Sequence, residues 1–90
     1  MKILKFNAIW CSGCIIMKKI MKEIQEDYPD ITIESYDYDM DEDMVKKYNI
    51  GEIIPVLVFL DENEQEIGRL IGEKTKKEIV KEIERLAWKN

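Results

Sequence analysis

Two cysteines stand three residues apart in Trp10-Cys11-Ser12-Gly13-Cys14, and the 90-residue chain has no others. Thiols at that spacing can close a disulfide, so that one attacks the disulfide of another molecule and the second resolves the product. The attack needs a thiolate. A free cysteine titrates at about 8.5, and a helix N-terminus beneath the first sulfur favours the anion through its unpaired N–H groups and the positive end of its dipole. The residues that follow Cys11 are patterned as such a helix, so thiol–disulfide exchange is the expected chemistry. A metal site is the weaker reading. Mononuclear zinc takes about four ligands, and with two sulfurs and no histidine the metal would have to bridge two copies. The absence of histidine also removes a Cys–His hydrolase or transferase dyad within one chain.

The elements that must position this pair are legible on either side of it. Lys2–Ala8 reads as a strand buried on both faces, from Ile3, Leu4 and Phe6. A helix is predicted over Ser12–Asp27, where Ile16, Met17, Ile20, Met21 and Ile24 recur every three or four residues opposite Lys18, Lys19, Lys22, Glu23 and Glu26. Pro29 ends it, because a residue before proline is biased out of helical dihedrals. Ile31–Tyr36 alternates as a second strand, and a helical crossover makes the two strands parallel. Asp41–Tyr48 is a short helix with acids in its first turn and Lys46 and Lys47 in its last, closed by Asn49 and Gly51. Pro55 opens Val56–Leu60, which turns through Asp61-Glu62-Asn63-Glu64 into Gln65–Ile71 as a hairpin, and Gly72 marks its end. Thr75 with Glu78 forms a capping box for a last helix whose apolar stripe is Ile79, Val80, Ile83, Leu86 and Ala87. The order is βαβαββα, an α/β fold in one domain over residues 1–90.

Composition narrows the function. With 46% hydrophobic and 37% charged residues the chain is of the soluble globular type, and no run is long enough to span a bilayer. Lys2 and Lys5 interrupt any secretory signal, so the chain is expected to be cytoplasmic, where a lone cysteine pair is redox-active or metal-binding rather than a structural staple. A net charge of −5 argues against nucleic acid as the main partner. Asp37, Asp39, Asp41 and Asp43 alternate like a calcium loop, but Glu42 stands where glycine is needed and Tyr48 where a bidentate glutamate is needed. They read as a strand end followed by a helix start. Met17, Met21 and Trp88 are assigned to packing, whereas Trp10, beside the nucleophile, is assigned to substrate docking.

On the motif Trp10-Cys11-Ser12-Gly13-Cys14, on Ile54-Pro55 before a hairpin and on Gly72 before the last helix, the chain resembles the thioredoxin family over nearly its whole length. The sequence has no counterpart of that family's extra N-terminal strand and helix, which leaves the minimal thioredoxin fold also found in glutaredoxins. The resemblance implies a four-stranded mixed sheet in the order 2-1-3-4, with the first and last helices on one face and the short helix on the other. It further implies that Cys11 is an exposed nucleophile, that Cys14 is a buried resolving thiol, and that Ile54-Pro55 is a cis peptide against the disulfide. Trp10, Ile53, Ile54 and Gly72 would then form a flat apolar docking surface. Implied partners are disulfide-containing protein substrates and a thioredoxin-reductase-type flavoprotein as electron donor, with a monomer expected and no cofactor or metal of the chain's own.

Two residues depart from the family pattern. Thioredoxins usually carry Gly-Pro between the cysteines, where this chain has Ser12-Gly13, so the redox potential does not carry over; potentials in this fold span roughly −270 to −120 mV. Lys5 stands where thioredoxins place a buried aspartate. If buried it has a depressed pKa and either takes the Cys14 proton as a neutral amine or stabilises its thiolate as a cation; the alternative is a lysine that snorkels to the rim and packs. A glutathione-dependent, glutaredoxin-like reductase is the closest alternative function. Ile53-Ile54-Pro55 and Gly72-Glu73-Lys74 replace the segments that grip glutathione there, which favours protein substrates. A metal- or cluster-bridged interaction module is the non-catalytic alternative.

Overall fold

The computed structural model describes residues 1–89, with side chains through Ala87, so the packing expected of Trp88 lies outside the described side chains. The elements are β1 (Lys2–Asn7), α1 (Ser12–Asp27), β2 (Thr32–Asp37), α2 (Glu42–Lys47), β3 (Val56–Leu60), β4 (Glu66–Ile71) and α3 (Lys76–Lys89). Their order is the predicted one, α1 and β3 have the predicted bounds, and β1, β2, β4 and α2 differ from prediction by one residue at one or both ends.

The strands form one sheet in the order β2-β1-β3-β4, with β1 parallel to β2 and antiparallel to β3, and β3 antiparallel to β4. Alternation along the two central strands divides the core in two. Ile3, Leu57 and Phe59 face α1 and α3 and pack with Met17, Met21, Ile24, Ile79, Ile83 and Leu86. Leu4, Phe6, Val56, Val58 and Leu60 face the other way, onto Met44, Val45 and Tyr48 of the α2 region, and Phe6 stacks on Tyr36 at 5.6 Å. The near-continuous apolar runs of β1 and β3 are the mark of strands covered on both faces.

Two helical residues behave differently from prediction. The buried face of α1 is Cys14, Met17, Met21 and Ile24, while Ile16 is exposed because at 100° per residue it points away from that line. In α3 the line Ile79, Ile83 and Leu86 is buried and Ala87, at its edge, is exposed.

The ends are satisfied locally. Tyr28 donates its N–H to the Ile24 carbonyl, and the Gln25 amide donates to the Tyr28 and Ile31 carbonyls, which holds the turn at Pro29. Thr75 and Glu78 form the expected reciprocal cap: the Glu78 N–H donates to Thr75 Oγ1 at 3.1 Å and the Thr75 N–H to Glu78 Oε1 at 3.2 Å. Thr75→Ala should lower unfolding stability by about 1 kcal/mol, read as a shifted urea midpoint at unchanged slope. The aspartates of the calcium-like series serve as turn acceptors. Asp37 Oδ1 accepts from the N–H groups of Asp39 and Met40, and Asp41 Oδ2 accepts from the Asp37 N–H.

Candidate functional site

The site lies where β1 gives way to α1. Cys11 occupies the N-cap position of α1 with extended dihedrals (φ −97°, ψ 108°), and its Sγ accepts the Cys14 N–H at 3.2 Å. That puts the sulfur at the positive end of a 16-residue helix with no acidic side chain in its first turn, an environment that favours negative charge on sulfur. Cys11 and Cys14 are joined as a disulfide with Cα atoms 5.3 Å apart. The expectation of an exposed Cys11 is not met. Cys11 is 8% exposed and Cys14 6%, because the bond turns both sulfurs toward Ala8, Tyr38 and Ile54.

The chain returns to this point from the start of β3. The Ile54–Pro55 peptide is cis, and the Ile54 carbonyl lies 3.8 Å from Cys11 Sγ. The Pro55 carbonyl accepts the Gly72 N–H at 2.8 Å, which ties the end of β4 to the same place. Gly72 has φ +91°, a conformation that suits glycine because it has no Cβ. Gly13 is a close approach of a different kind: a Cβ there would stand 2.9 Å from Glu73 Oε1 and 3.6 Å from Pro55 Cδ. The structure thus brings Cys11, Gly13, Cys14, Ile54, Pro55 and Gly72 together, with Ile53 Cγ2 3.8 Å from where a Gly72 side chain would begin. Ser12 is exposed in the first turn of α1 and makes no side-chain hydrogen bond among the described residues.

Trp10 is 60% exposed and held in place by two contacts. Its indole N–H donates to Asp39 Oδ2 at 2.7 Å, and its ring meets the edge of Tyr38 at 6.3 Å. Asp39, Tyr38 and Glu73 were not legible as site residues. Asp39 is 29 positions from Trp10 and Glu73 is 60 from Gly13, and no local spacing signals such contacts. The exposed large apolar side chains Ile9, Trp10, Ile15, Ile16, Ile53 and Ile71 are neighbours in sequence of the cysteines, of Pro55 or of Gly72, and Met40 follows Asp39.

Lys5 is buried over most of its length, at 7% exposure, and its ammonium reaches solvent at the mouth of an open pocket, so its stem packs as a snorkelling lysine's does. It lines a cavity of about 260 Å3 together with Cys14 and Lys18. Burial lowers its pKa from the ordinary lysine value, and the nearby Lys18 charge lowers it further. Among the described residues no group of three or more Cys, Asp or Glu side chains is arranged to hold a metal ion, and no helix is long and apolar enough to cross a membrane.

A helix-capping cysteine pair packed against a cis-proline on a βαβ–ββα sheet defines a dithiol/disulfide centre. The chain belongs to the thioredoxin family, whose model matches residues 1–85. It is 37% identical to thioredoxin H5 of Oryza sativa over 78% of this chain and 50% of that protein, and 33% identical to thioredoxin H7 of Arabidopsis thaliana over 91% and 61%. The chain therefore spans about half to three-fifths of the length of these relatives. Among solved structures it is similar to thioredoxin 1 of Thermosipho africanus, with a TM-score of 0.83 and 29% identity over 94% of this chain and 92% of that one.

Proposed function

We propose that the chain is a thiol–disulfide oxidoreductase that reduces protein disulfides by dithiol exchange. The observation that carries this reading is Cys11 Sγ at the N-cap of α1, accepting the Cys14 N–H beside the Ile54 carbonyl. In the reduced protein the Cys11 thiolate attacks one sulfur of a substrate disulfide, forms a mixed disulfide and expels the other substrate sulfur as a thiolate, which takes up a proton. Cys14 then loses its proton and attacks Cys11 Sγ. The second substrate thiol leaves and the Cys11–Cys14 bond re-forms, so two electrons have passed to the substrate.

Trp10, Ile53 and Ile54 offer the apolar surface on which an extended substrate segment docks, with Gly72 and the bend at Pro55 keeping it flat. Ser12 and Gly13, between the two cysteines, border that surface. Residues 1–90 act as one such domain, a cytoplasmic monomer whose disulfide is reduced in turn by a thioredoxin-reductase-type flavoprotein. The apolar side chains at Ile53 and Ile54 support protein substrates over glutathione.

The test is to incubate the Cys14→Ser variant with cell extract and analyse the trapped adducts. Near-stoichiometric mixed disulfides between Cys11 and proteins are expected, because the resolving sulfur is gone. Adducts of glutathione alone would overturn the reading in favour of a glutaredoxin-like reductase.

A further inference from the structure

Cys14 shares its cavity with an unusual set of charges. Lys5 projects from β1 beneath α1, and Cys14 and Lys18, one helical turn apart, line the same space between walls that include Asn7, Ile9 and Ile15. No carboxylate lines it. Strands β2 and β3 place Ser35 and Leu57 beside Lys5 in register, and neither can carry a charge that would balance it. Among the described residues the Lys5 ammonium makes no ion pair or hydrogen bond. The Lys5 ammonium, its stem buried and its tip at the pocket mouth, therefore shares a small space with the Lys18 charge and no carboxylate, a surrounding that favours an anion beside it. Cys14 is the one group lining that space that can become an anion.

We propose that the Lys5 ammonium is the counter-ion of the Cys14 thiolate, an ion pair that forms only when the Cys11–Cys14 disulfide is reduced. Lys5 is then a positioning residue that acts through Cys14, and the role rests on reading the cysteine pair as a dithiol centre. When a small dithiol reduces the protein, two electrons enter the Cys11–Cys14 bond, the bond breaks, and the reductant closes to its own disulfide. The two protons pass to the cysteine sulfurs or, where a sulfur remains a thiolate, to solvent. Stabilising one of those thiolates favours the reduced form, so Lys5 makes the disulfide a stronger oxidant.

The same pairing speeds resolution of a mixed disulfide, by less than the gain in thiolate. A tenfold rise in thiolate fraction is offset by lower intrinsic nucleophilicity, leaving about three- to fourfold.

The experiment is a redox equilibration of wild type, Lys5→Met and Lys5→Arg against a small dithiol from pH 6 to 10, with parallel titration of Cys14 in Cys11→Ser and in that variant carrying Lys5→Met. Lys5→Met is expected to shift the exchange constant about tenfold toward the disulfide, equivalent to about 30 mV. The shift should vanish below the thiol range, grow as Cys14 ionises, and shrink again as Lys5 itself loses its proton, which burial brings below the ordinary 10.5. Cys14 should be about tenfold more acidic with Lys5 present. Lys5→Arg keeps the charge, so it should retain the wild-type constant and lose the decline at high pH. Exchange constants within twofold of wild type at every pH in Lys5→Met would overturn the proposal, as would an equal shift in Lys5→Arg. Both readouts report on Cys11 and Cys14 directly, so they stand or fall whether or not any protein disulfide is a substrate.

Discussion

Replacing Cys11 by serine should abolish catalysed disulfide reduction, with a loss on the order of a thousandfold or more, leaving the rate of the external thiol alone. The reason is chemical rather than structural. A serine hydroxyl can accept the Cys14 N–H as Cys11 Sγ does at 3.2 Å, so the N-cap of α1 survives while the attacking sulfur is gone. The measurement is turnover of a disulfide-containing test protein with dithiothreitol as the terminal reductant, alongside thermal unfolding as a check on the fold. Cys11→Ser with a wild-type melt and wild-type turnover would show that the reduction runs elsewhere. Cys14→Ser, reduced beforehand and freed of dithiothreitol, should behave differently, performing a single attack and stopping at the mixed disulfide, so the two variants separate the attacking sulfur from the resolving one.

Phe59→Ala should be the most damaging single change to stability, at about 3–5 kcal/mol. Against a total of between about 5 and 13 kcal/mol for a chain of this length, that removes a large part of the margin. Phe59 has no solvent exposure, sits on the central strand β3, and packs in the cluster that joins the sheet to α1 and α3. Its register partners are Ile3 on β1 and Gly68 on β4. Leu86 of α3 already fills the space above Gly68, where a Cβ would meet its Cδ1 at 2.9 Å. The neighbours are therefore committed, and a cavity at position 59 is poorly refilled. Urea denaturation of the oxidised protein measures it, and a loss below about 1 kcal/mol would show that the cluster can collapse into the gap.

The contrast between Met17 and Ile16 shows where the sequence is informative. Helical periodicity identified α1 and its buried methionines, yet Ile16 could not be excluded from the stripe because adjacent apolar residues leave the phase of the face ambiguous; only the sheet beneath settles it. Exposure of Cys11 was misjudged for a related reason. Its burial at 8% depends on Ala8, Tyr38 and Ile54 closing around the disulfide, and two of those residues come from distant parts of the chain. The reading of Asp37, Asp39, Asp41 and Asp43 as a strand end followed by a helix start matches the end of β2 at Asp37 and the start of α2 after Asp41. Their actual hydrogen bonds, including that of Asp39 to Trp10, were not foreseeable.

The sequence by itself determined the order of elements, the capping box at Thr75 and the pair of sulfurs at a helix start, because each rests on interactions among residues close along the chain; the parallel pairing of β1 with β2, 30 residues apart, followed from the helical crossover between them. Tertiary structure alone decided that Lys5 lies buried against the Cys14 cavity without a carboxylate, that Glu73 crowds Gly13, and that Trp10 is tethered to Asp39. Those are contacts across the sheet and between loops, and their free energy depends on distances and solvent exclusion that exist only once the strands have paired.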